Sequence, residues 1–111
     1  MKIFSTNKNK MTDTQALTIM RASRRYVKPE NNYPGTLNCI IAMEEFAECS
    51  KEISKQIRGV GDIYHLIEEM ADCYICLKQL QDIFRIDDEI IDKYIQEKLD
   101  RQRERNERET N

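Results

Sequence analysis

Nine apolar side chains between Ile63 and Phe84 recur at helical spacing: Ile63, Leu66, Ile67, Met70, Cys73, Tyr74, Leu77, Leu80 and Phe84. Steps of three and four place such residues on one side of an α-helix, here one of about six turns. A strand would need alternation by two, which the chain shows over no useful length. With only 3 Gly and 2 Pro in 111 residues, little interrupts long helices.

The punctuation divides the chain into four helices. Thr12 or Asp13 is expected to cap a first helix running to about Val27, with Ala16, Leu17, Met20 and Val27 as a weak apolar stripe. Pro29 to Gly35 is the densest cluster of breakers and reads as a loop. Thr36 is expected to cap a second helix from Leu37 to about Arg58, ended by Gly59-Val60-Gly61. Asp62 caps the third, from Ile63 to about Phe84, and so short a link predicts an antiparallel central pair. Asp87 caps a fourth helix with Ile90, Ile91, Tyr94, Ile95 and Leu99 as its stripe. Beyond it, Asp100 to Glu109 is polar with alternating charge, a solvated helical extension whose charge pairs contribute only ~0.2–0.5 kcal/mol each. The expectation is an all-α, four-helix bundle: a flexible N-terminal arm over 1–11 and one helical domain over 12–111.

Bulk properties narrow the function. A net charge of -2, from 18 basic and 20 acidic residues, predicts neither a nucleic-acid nor a membrane surface. No secretory signal or apolar stretch of spanning length is visible, so the chain reads as cytoplasmic, with its four cysteines as reduced thiols. Hydrophobic residues at 40% and charged residues at 34% suit slender helices with wide polar faces, completed by a second subunit.

Against this background some carboxylates stand in unusual places. Ile40-Ile41-Ala42-Met43-Glu44-Glu45-Phe46-Ala47-Glu48-Cys49 is apolar around nearly its whole circumference, the pattern of a central, buried helix, yet holds three glutamates. Enclosing an unpaired carboxylate costs several kcal/mol, so such groups need a cation, a partner or a raised pKa. Glu45 and Glu48 are three apart and share a face; Glu69 and Asp72 repeat that spacing on the next helix. Two antiparallel helices can bring all four acids to one pocket, where hard oxygen donors suit Mg²⁺, Mn²⁺ or Ca²⁺ better than zinc. The competing expectation is that these acids face solvent and form surface ion pairs.

Glu44-Glu45-Phe46-Ala47-Glu48 fits E-E-x-x-E and Glu69-Met70-Ala71-Asp72 fits E-x-x-D. In this order, on adjacent helices, the stretch from Leu37 to Arg105 resembles the MazG-like all-alpha nucleoside triphosphate pyrophosphohydrolases. The resemblance implies Mg²⁺, with Mn²⁺ as an alternative, held by Glu45, Glu48, Glu69 and Asp72. It implies that Glu44 orients or deprotonates the attacking water. Lys98-Leu99-Asp100-Arg101 is similar to the family's basic K-x-x-R element, so Lys98 and Arg101 are expected to hold phosphates. Lys55, beyond the motif with Lys51 and Arg58, is a further candidate. The implied substrate is a nucleoside triphosphate, cleaved to monophosphate and pyrophosphate in nucleotide-pool house-cleaning, and the implied assembly is a homodimer or homotetramer. The base pocket would draw on residues such as Tyr26, Tyr33 or Phe46.

Other features carry less. Cys73-Tyr74-Ile75-Cys76 has C-x-x-C spacing, but Cys39 and Cys49 complete no familiar zinc pattern, and small-core packing is the expectation. His65, one turn before Glu69, reads as solvent-facing or capping. No glycine-rich phosphate loop and no Ser-His-Asp set can be proposed. Three alternatives remain: an enzyme like phosphoribosyl-ATP pyrophosphohydrolase, a non-catalytic helical dimerisation module, and, least supported, a di-iron bundle, which would need Glu-x-x-His.

Overall fold

A computed structural model describes residues 11–25 and 35–110. Four helices run in chain order: α1 (Asp13–Arg25), α2 (Thr36–Ile57), α3 (Ile63–Phe84) and α4 (Asp88–Thr110). The described residues contain no strand. The expectations for residues 1–10, Tyr26, Val27, Tyr33 and most of the Pro29–Gly35 loop lie outside this set. None of the described helices is long and apolar enough to cross a membrane.

Helix ends follow from local chemistry. Thr12 and Gln15 form a reciprocal cap on α1: the Gln15 N–H donates to Thr12 Oγ1 at 3.1 Å, and the Thr12 N–H to Gln15 Oε1 at 2.9 Å. The Asp62 carboxylate caps α3, accepting from the Tyr64 N–H at 2.9 Å. The Asp87 carbonyl accepts from the N–H groups of Ile90 and Ile91 at the start of α4. Thr36, expected as the cap of α2, is instead its first residue; Gly35 holds the cap position at φ 82°. An added Cβ there would lie 2.9 Å from Ile83 Cδ1, so glycine lets the start of α2 close onto the end of α3.

α2 and α3 finish alike. Val60 N–H donates to the Lys55 carbonyl and Gly59 N–H to that of Gln56; Ile86 and Arg85 do the same to Gln81 and Asp82. Both are six-to-one plus five-to-two endings with a left-handed residue, Gly59 at φ 74° and Arg85 at φ 56°. Only the first uses the residue that adopts this conformation without strain.

α2 lies along α3, α1 also packs on α3, and α4 touches the others sparsely. The enclosed core is thin: among the described residues Ile19, Ala42 and Cys76 are the buried apolar side chains, joined by Asn38 and Glu52. Among the described side chains of α1, Ile19 is buried, whereas Leu17 of the expected stripe is exposed. The expectation of a fully enclosed α2 is not met within one chain, since Ile40, Met43, Ile53 and Ile57 are exposed. The wide stripe of α3 splits in two. Leu66, Cys73, Cys76 and Leu80 are at least half-buried, whereas Ile63, Ile67, Met70, Tyr74, Leu77 and Phe84 are between 44% and 59% exposed.

Gly35→Ala is expected to lose about 1–2 kcal/mol to left-handed strain, with a further loss from the contact with Ile83. Arg85→Gly relieves the same strain and is expected to gain up to about 1 kcal/mol. Urea denaturation of the two variants should show midpoints moving in opposite directions.

Candidate metal centre

Along α2 the line facing α3 advances by fours and threes: Asn38, Ala42, Glu45, Cys49, Glu52 and Gln56. All six are at least half-buried. The antiparallel register sets Glu45 against the Glu69–Cys73 turn of α3, with the Cys73 thiol donating to the Glu45 carbonyl at 3.7 Å. Three carboxylates therefore converge. One oxygen from each of Glu45, Glu69 and Asp72 lies within 4.8 Å of the other two.

Glu45 and Glu69 are half-buried. Glu69 Oε2 is shut off from solvent and has no hydrogen-bond donor among the described residues. Burial raises the Glu45 carboxyl above its ordinary value, with hydrogen bonding to Glu69 and the charges of Asp72 and Glu69 acting in the same direction. All these effects describe a cluster short of one positive charge, which a proton on Glu45 or a cation can provide. Ligands of Mg²⁺ at ~2.0–2.1 Å in adjacent octahedral positions sit about 3 Å apart, so modest side-chain rotation would close this trio on an ion.

The remaining candidates are spread more widely. Glu48 is exposed one turn from Glu45 and is not drawn into the trio; Glu44 is exposed as well. Lys55 Nζ pairs with Glu52 Oε1 at 3.3 Å. Lys98 and Arg101 are exposed on α4, and no packing sets that helix against the acids. His65 faces solvent near Asp62, its Nε2 4.0 Å from Oδ2. Phe46 is half-buried on α2.

Two features escaped the sequence reading. Glu52 is only 7% exposed, and its Oε2 has no partner among the described residues. Its place seven residues after Glu45, on the same line of α2, was the available signal. The second is a group of thiols beside the carboxylates. Burial raises the Cys73 thiol to about 11, with a hydrogen bond to Cys49 adding to the effect. Burial also raises Cys76, followed by the charges of Glu45 and Asp72.

A carboxyl whose pKa is raised in the fold favours the folded state while protonated. That contribution is present below the unfolded value, near 4.5, and is lost as pH rises through the higher folded value. In chelator, the thermal midpoint of Glu45→Gln is therefore expected to gain on that of the unmodified protein as pH rises toward neutrality. A constant difference across the series would remove the electrostatic account. Compared with known protein families, curated proteins and solved structures, the chain finds no match.

Proposed function

We propose that the protein is a Mg²⁺-dependent nucleoside triphosphate pyrophosphohydrolase with a MazG-like helical bundle, acting in the cytoplasm on the nucleotide pool. The observation that carries this reading is the convergence of Glu45, Glu69 and Asp72 across α2 and α3. Glu48, one turn from Glu45, would complete the set of carboxylates that hold the ion. A bound divalent ion supplies the positive charge that offsets the phosphates as pyrophosphate departs. Glu44 orients the water or takes its proton, and Lys98, Arg101 and Lys55 hold the phosphates.

Incubation with each ribo- and deoxyribonucleoside triphosphate plus Mg²⁺ is expected to yield monophosphate and pyrophosphate. Titration calorimetry should show Mg²⁺ or Mn²⁺ binding that Glu45→Ala and Asp72→Ala abolish while circular dichroism stays helical. Diphosphate with orthophosphate as products, or no metal binding, would defeat the reading.

The exposed stripe of α3 supports a homodimer or homotetramer. Ile63, Met70, Leu77 and Phe84 are seven apart, as are Ile67 and Tyr74, which is the seam of a helix that pairs with another. The same stripe favours a second reading, a helical dimerisation module without catalysis, which predicts assembly with no link to metal. Light scattering is expected to give a dimer or tetramer at micromolar concentration, with Tyr74→Glu shifting it toward monomer.

A further inference from the structure

The thiols at the α2–α3 seam have no part in the proposed hydrolysis, and two of them stand on facing turns of the two helices. Cys73 Sγ lies 3.7 Å from the Glu45 carbonyl oxygen. In an α-helix that carbonyl accepts from the N–H four residues on, which here belongs to Cys49. The Cys73 sulfur thus stands at the turn that carries Cys49. Both are half-buried, so a small reagent can reach them. The other cysteines are placed differently. Cys39 precedes Cys49 by ten residues of helix, about 15 Å. Cys76, 4% exposed, shares a mid-helix stretch with Cys73.

We propose that Cys49 and Cys73 are an oxidisable pair that closes to an intrachain disulfide stapling α2 to α3 beside the carboxylate trio. The oxidant is a low-molecular-weight disulfide of the glutathione type. Cys49 sulfur attacks one sulfur of the reagent, whose S–S bond breaks and releases one thiol. Cys73 sulfur then attacks Cys49 sulfur in the mixed disulfide and expels the second thiol. The two thiol protons leave with the two reagent thiols, and two electrons pass from the protein sulfurs to the reagent. The bridge fixes the turn holding Glu45 against the turn holding Glu69 and Asp72, whatever the trio binds.

The test treats the full chain with oxidised glutathione, then measures intact mass and maps non-reduced peptides. The expected result is loss of two hydrogens, a peptide linking Cys49 to Cys73, reversal by dithiothreitol, and a higher thermal midpoint in the oxidised form. Cys76→Ser should keep the linkage, and Cys49→Ser should leave Cys73 unlinked. A Cys73–Cys76 linkage, disulfide-linked dimers through Cys39, or glutathione adducts without ring closure would overturn the proposal. Because the peptide map of the unmodified chain decides the linkage, a poorly folding serine variant does not block the test.

Discussion

Like-charged carboxylates held between α2 and α3 are the constraint around which the rest of this chain is arranged. Two full charges 4.8 Å apart repel by about 3 kcal/mol at an effective dielectric of ~20, a large fraction of a small domain's stability. Apolar packing between the two helices has to outweigh that, yet Asn38, Glu45, Glu52 and Gln56 occupy much of the α2 side of the seam. A proton on Glu45 relieves part of the repulsion, and a divalent ion would relieve more. The site and the helix pairing are thus one energetic problem.

The thin core follows from the same allocation of residues. With polar groups along the inner line of α2, apolar area is displaced to the outer faces, where Met43, Ile57, Ile67 and Tyr74 remain exposed. The radius of gyration, 17.1 Å, exceeds the about 13 Å of a compact domain this long.

Helix number and placement were legible because period and punctuation are local properties: Thr12, Asp62 and the Gly59 ending act within a turn of their own backbone. The inward face of each helix was harder to read. The apolar arc of α3 is wide enough to serve two contacts, and nothing within Ile63–Phe84 says which half meets α2. The trio illustrates the same limit. Three-residue spacing groups Glu45 with Glu48, but the inner line of α2 steps from Glu45 to Cys49 and then to Glu52, leaving Glu48 outside. Glu52, between Lys51 and Ile53, resembles a surface acid until the register is known. Positions of Lys98 and Arg101 relative to the acids depend on how α4 sits, and beyond Asp88 few contacts fix it among the described residues.

At the corner between α3 and α4, Lys78 Nζ grips both oxygens of Asp88, at 2.7 and 2.9 Å, and Gln81 adds a third bond at 2.8 Å. From that clasp α4 runs on for 23 residues, about 34 Å, with sparse contact along its length. Mechanically it is a cantilever: fixed at the root, with its bearing at the far end set by whatever it lies against. A small rotation at the Lys78–Asp88 root sweeps Lys98 and Arg101 through a much larger arc, so a neighbouring subunit that braces the shaft would also aim its basic side chains.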